Sequence, residues 1–274
     1  MTLLERLLHR LDLTQVQTDT FHGGAGEGGA TEANRLFGGL VAAQATMAAI
    51  RSVADAFSLH SLHAYFLRPG QAAADISYKV SRLKEGRNFQ VREVQAWQHD
   101  ELIFQLTASF QLPMPGVTHM SRAPTVASPE DCPNRDQLRG RKRWRDMPID
   151  VRMITDITSD EPRPPLQQTW LKANGTLPED PSVHLALVVY ASDRSLLDTA
   201  WRPHAQRGDL IGASLDHSMW FHAPLRFDSW LLYDMHSPRA SDSRGLSFGS
   251  MYTESGQLVV TTAQEGMLRV RPKN

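Results

Sequence analysis

Asp216-His217-Ser218 sets three residue types of an acyl-transfer relay side by side, and Gly245-Leu-Ser247-Phe-Gly249 matches the elbow that presents a nucleophilic serine. Neither spacing suits the chemistry. Neighbours on a strand point to opposite faces, so Asp216 and Ser218 share one side while His217 takes the other. The residues after Ser247 continue as a strand, where the elbow needs a helix, and no histidine follows His236. Gly24-Ala-Gly26-Glu-Gly28-Gly29 fits a dinucleotide-binding glycine pattern, but it lacks a buried strand before it and a helix directly after it. Cys132, between Asp131 and Pro133, has no helix start beside it to lower its pKa and reads as an incidental thiol. No Cys/His cluster has zinc spacing, so no metal is expected.

What remains is a polar set confined to the second half of the chain. Asp193 lies in Tyr190-Ala-Ser-Asp193-Arg-Ser, toward the end of an apolar helix, while Ser214 and Gln264 lie on strands. The corresponding helix of the first half has no acidic residue, and a fixed shift places Leu59 and Ser109 where Ser214 and Gln264 stand. A carboxylate, a hydroxyl and an amide therefore occur where the first half is stripped. The residues alone leave a second account open, in which Asp193 ends a helix and Gln264 is a satisfied core amide.

The fixed shift is an internal repeat. Moving the chain by 155 residues sets Phe66 on Phe221, Pro69 on Pro224, Tyr78 on Tyr233 and Thr107-Ala108 on Thr262-Ala263. Apolar and aromatic positions follow, as in Ile76/Leu231 and Trp97/Tyr252. In the first copy, period-two alternation predicts strands over 59–66, 75–82, 89–97 and 102–110; in the second, over 211–221, 230–236, 246–253 and 258–267. One small, apolar helix precedes each set, at 39–50 and at 183 to about 197. One helix per long antiparallel sheet implies an α+β architecture, a sheet curled around each helix. The expected units are 1–112 and 166–274. Nine of the sixteen prolines fall between Gln111 and Pro165, so 113–165 reads as a surface linker. Within it, the basic run Arg139 to Arg145 is either a solvated face or a phosphate contact.

A net charge of -1 from 29 basic and 30 acidic residues offers no field for a nucleic acid. The segment Met1 to Leu13 has Leu4, Leu7, Leu8 and Leu11 on one helical stripe broken by charges, an amphipathic cap. The longest apolar run, Leu185 to Ala191, is far short of the roughly 20 residues that span a bilayer, so no integral membrane segment is expected. A single cysteine suits a reducing compartment, and a cytoplasmic location is the expectation.

Five blocks together resemble the acyl-CoA thioesterase II family: Arg35-Leu-Phe-Gly-Gly39, His60 to Gly70, Tyr190-Ala-Ser-Asp193, Asp216 to His222, and Gln264-Glu-Gly266. They lie in the right order and cover nearly the whole chain outside 113–165. The resemblance implies a double hotdog fold and hydrolysis of fatty acyl-CoA to fatty acid and CoA, with no metal or bound cofactor. It also implies a water nucleophile held by Asp193, Ser214 and Gln264, with Asp193 the general base. The family's usual residue at the hydroxyl position is Thr. Ser214 departs from it, keeping the donor and acceptor but losing the methyl that stiffens the rotamer.

His60, His63, His217 and His222 fall in these blocks and read as hydrogen-bonded core or interface histidines. Arg68 ends a strand and is a candidate contact for a CoA phosphate. Hotdog sheets associate further, so a homo-oligomer, dimer or tetramer, is expected. The alternatives are a hotdog enoyl-CoA hydratase or dehydratase, which needs an Asp/His pair, and a non-catalytic acyl-CoA-binding protein.

Overall fold

The computed structural model describes residues 1–24, 35–159, 161–204 and 210–270. Of the glycine pattern at 24–29, only Gly24 lies among them. The chain opens with helix α1 (Leu3–Leu11), the hairpin β1 (Thr14–Gln17) and β2 (Thr20–Gly23), and helix α2 (Gly38–Ile50). Strands β3 (Ser58–Phe66), β4 (Ile76–Glu85), β5 (Phe89–Gln98) and β6 (Glu101–Gln111) follow. Next come the short helix α3 (Arg135–Leu138), β7 (Ile149–Met153) and β8 (Leu166–Ala173). The remaining elements are α4 (Pro181–Ser192), α5 (Leu196–Trp201), β9 (Leu210–Ser214), β10 (Asp216–Phe221), β11 (Leu231–Ser241), β12 (Arg244–Thr253) and β13 (Leu258–Val270).

Among the described residues thirteen strands join one sheet, ordered β1-β2-β4-β5-β6-β3-β10-β13-β12-β11-β8-β7, with β9 also on β13. The sheet curls around α2 and α4, which pack on each other at its centre. This explains the small, apolar character of α2: Gly39 to Ala49 are all buried, with sheet on one side and α4 on the other. Ala43, Ala45, Ala48 and Ala49 are fully buried on different faces of α2, so the helix is narrow all round. At the amino terminus Thr2 caps α1 reciprocally with Glu5, and Leu4, Leu7 and Leu11 are buried. This is the expected amphipathic cap.

The two halves meet at β3 and β10, paired antiparallel with His63 opposite Ser218. These residues are 155 apart and joined by a 3.1 Å hydrogen bond, so the repeat's own equivalents face each other across a local two-fold axis.

Three expectations need correction. The strand expected over 211–221 is two, β9 and β10, broken at Leu215, whose N–H goes to Glu265 while its carbonyl accepts from Phe66. The helix expected to run to about Leu197 stops at Ser192, with Asp193 as its C-cap and a turn before α5. The span read as a linker, 113–165, contains β7, paired with β8, as well as the buried side chains Asn134, Arg135 and Asp136. Prolines on both sides of β7 hide a strand that alternates buried and half-buried residues.

The constant shift also fails at one place. Arg92 lies opposite Ala108, and its equivalent Ser247 lies opposite Gln264, so Ala108, not Ser109, corresponds to Gln264. The cause is a turn. β5 and β6 are joined by His99 and Asp100, both at positive φ in a tight hairpin, whereas β12 and β13 are joined by the longer turn 254–257.

Candidate active site

Asp193 is placed by the end of α4, Ser214 by the end of β9, and Gln264 by the middle of β13, whose inner face it shares with buried Thr262. The three converge on one atom. Ser214 Oγ donates to Asp193 Oδ1 at 3.0 Å and Gln264 Nε2 donates to the same oxygen at 2.7 Å. Gln264 Nε2 also reaches Ser214 Oγ at 3.0 Å, closing a triangle. Gln264 Oε1 is buried and has no partner among the described residues, an acceptor left over for a water.

Asp193 sits at the C-terminus of α4, where helix carbonyls disfavour an anion, but it faces the N-terminus of α2, where N–H groups favour one. The Gly39 backbone N–H is directed at its carboxylate. A Cβ on Gly38 would come within 3.0 Å of Asp193 Oδ2, and one on Gly39 within 2.6 Å of the Tyr190 carbonyl, so this approach needs both glycines. Phe37, edge-on to Tyr190 at 5.0 Å, and Phe66 supply apolar walls. Burial pushes the Asp193 pKa above 3.8, opposed by the bonds from Gln264, Ser214 and Gly39.

Behind this turn, Arg135 of α3 donates from Nη1 to Ser195 Oγ at 2.9 Å and to the Arg194 carbonyl at 3.3 Å. Burial and the neighbouring arginines lower its pKa to about 9. The segment between the two repeats thus braces the residues that follow Asp193, a role that no motif at Arg135 signals.

The four histidines are hydrogen-bonded to serine or threonine hydroxyls: His60 to Ser109, His63 to Ser218, His217 to Ser192 and His222 to Thr261. His217 is buried and Asp216 partly exposed, as the strand argument requires, and Asp216 accepts from the Glu265 N–H at 2.7 Å. Ser247 is buried mid-strand, far from any elbow geometry. Cys132 is buried, and its thiol pKa is pushed up by that burial. In the basic run, Arg139 pairs with Asp198, Arg141 with Asp136 and Arg143 with Asp146. Arg68 donates to the Leu102 carbonyl. Among the described residues no group of three or more His, Cys, Asp or Glu could hold a metal, and no helix is long and apolar enough to cross a membrane.

A sheet wrapped around two antiparallel helices, with a carboxylate, a hydroxyl and an amide at one helix end, defines a double hotdog protein. Profiles of known families agree: residues 157–267 match one described as acyl-CoA thioesterase, and 27–111 match the acyl-CoA thioesterase N-terminal domain. Acyl-coenzyme A thioesterase 8 of Homo sapiens is 40% identical over 88% of this chain and 82% of its own length. Acyl-CoA thioesterase 2 of Haemophilus influenzae is 36% identical over 97% and 98%. The crystal structure of an acyl-CoA thioesterase II from Mycobacterium marinum superposes with a TM-score of 0.83 at 38% identity, covering 96% of this chain and 98% of that one. The chain belongs to the acyl-CoA thioesterase II family.

Proposed function

We propose that this acyl-CoA thioesterase hydrolyses its substrate with a water activated by Asp193 and oriented by Ser214 and Gln264. The convergence of two donors on Asp193 Oδ1, with Gln264 Oε1 unpartnered beside them, carries this reading. The bonds hold the carboxylate in one orientation, and partial burial keeps it basic enough to take a proton. The water oxygen attacks the thioester carbonyl carbon as its proton passes to Asp193. The C–S bond then breaks, and the CoA sulfur leaves with the proton that Asp193 returns. Thiolates are good leaving groups and thioester carbonyls are electrophilic, so a positioned water needs no covalent intermediate.

A hydratase mechanism fits less well, because His217 is fully buried, bonded to Ser192, and holds its pKa down to about 4 through desolvation. A non-catalytic acyl-CoA binder would keep the fold but release no thiol. Free-thiol release from a series of acyl-CoAs, with wild type and Asp193→Asn in parallel, tests the proposal. An undiminished rate in the variant removes Asp193 from the mechanism.

The exposed rings of Tyr65 and Trp220 on adjoining strands support assembly of these subunits into a homo-oligomer, dimer or tetramer, and a monomer by light scattering would oppose it. The cytoplasmic reading rests on the single, buried cysteine and is tested by fractionation.

A further inference from the structure

A cavity of about 600 Å³ opens at the other end of the β3–β10 pair from Asp193. Along β3, Leu59 borders this cavity, whereas Ser214 lies beside the strand's far end, roughly 25 Å away at strand spacing. The cavity is the counterpart of the catalytic mouth under the local two-fold. Leu59 stands where the C-terminal unit has Ser214, and Phe221 stands for Phe66. The start of α4, through Pro181 and Leu185, takes the place of the start of α2.

The hydrolytic groups are missing from this copy: Ser214 is replaced by Leu59, Gln264 by Ala108, and α2 ends in Ile50 and Arg51 without a carboxylate. The cleft nevertheless remains, within the size range of small-molecule sites and with mainly apolar walls. Its three histidines and its arginine are engaged within the protein. His184 bonds the Pro178 carbonyl and the Phe227 N–H, His60 bonds Ser109, and His222 bonds Thr261. Arg226 is held by Glu179 and Asp228, so the rim offers no uncommitted cation for a phosphate. An apolar chain fits that chemistry; a nucleotide does not.

We propose that this cavity is a second, non-hydrolytic site for an acyl chain, borne either by a CoA thioester or by a free fatty acid. The ligand class rests on the thioesterase reading of the catalytic site.

Equilibrium dialysis with S-dodecyl-CoA thioether, which cannot be hydrolysed, and with laurate measures the stoichiometry. Two equivalents per wild-type chain are expected for at least one probe; thioether alone indicates a CoA-borne chain, and laurate alone the free acid. One equivalent or fewer for each probe, and no more than one in total when both are present together, overturns the proposal. Ala223→Trp and Leu185→Trp, which fill the cavity, should each remove one equivalent while thiol release at low substrate stays within about twofold. Retention of two equivalents in both variants places the second ligand elsewhere and overturns it. Should neither variant fold, the anomalous signal of 12-bromododecanoate and of S-(12-bromododecyl)-CoA in wild-type crystals decides: bromine among Leu59, Leu185 and Leu225 with either supports the site, and an empty cavity with both overturns it. Thiol release from wild type is read separately, so failure of the thioesterase reading is distinguishable from loss of the second equivalent.

Discussion

Gln264 Nε2 lies 2.7 Å from Asp193 Oδ1, and Gln264 occupies the strand position where the N-terminal repeat carries Ala108. The amide ties the carboxylate to β13 and also bonds Ser214, the second side chain of the sheet that donates to the same oxygen. Gln264→Ala should therefore lower kcat about 10²-fold and change KM little, as steady-state thiol release would show. An equal loss confined to KM would make Gln264 a binding residue.

Asp193→Asn should lower kcat by about 10³-fold. It should also stabilise the fold at neutral pH. The folded-state pKa of Asp193 is raised, so the stability present below its ordinary value of 3.8 is lost as pH rises through the folded pKa. Asn cannot ionise and escapes that loss. The melting temperature of the variant should exceed that of wild type at pH 7, with the gap closing toward pH 3.8; a gap independent of pH would oppose this account.

Gly39→Ala places a Cβ 2.6 Å from the Tyr190 carbonyl and from the Phe37 ring. Relief requires α2 and α4 to part at the place where α2 meets Asp193. The expected cost is about 1–3 kcal/mol in urea unfolding, together with a fall in kcat that Ser214 and Gln264 cannot prevent.

His217 should limit acid tolerance. Its pKa falls from 6.5 to about 4 because the ring is fully buried, so the unfolded chain binds a proton that the folded chain refuses. Stability is full above 6.5 and is lost as pH falls from there toward 4, by up to about 3 kcal/mol. Urea midpoints at pH 7 and pH 4.5 should diverge in wild type and converge in His217→Gln.

Arg135→Met removes the two bonds that hold Arg194 and Ser195 behind the turn that bears Asp193. A small displacement of Asp193 should cost about tenfold in kcat with KM within twofold. If KM rises and kcat is unchanged, Arg135 serves substrate binding and not the turn.

Most of this architecture is legible in the sequence because antiparallel strands half-buried on one face alternate, as β5 does from Val91 to Gln98 and β13 from Val260 to Leu268. The repeat was legible for the same reason, yet its one-residue slip at β13 was not, since apolar and polar positions in Thr107-Ala108 and Thr262-Ala263 look alike in either register. The hairpin β1–β2 was missed because every residue of β1 is exposed at the sheet's edge. β8 was missed because Trp170 and Leu171 are buried on opposite faces, which erases the alternation. The triad Asp193, Ser214 and Gln264 could be named from family blocks, but their meeting at one oxygen follows from the break at Leu215 and the end of α4 at Ser192. Arg135 carried no signal, since its role depends on a tertiary contact across the chain.

The packing of α2 on α4 makes the site a joint product of the two repeats. All three side chains proposed to act on water belong to the second repeat, while the N–H that greets their carboxylate belongs to Gly39 in the first. Neither half is sufficient alone. Separated from the first unit, the second would keep its three side chains but lose the backbone donor that meets their carboxylate.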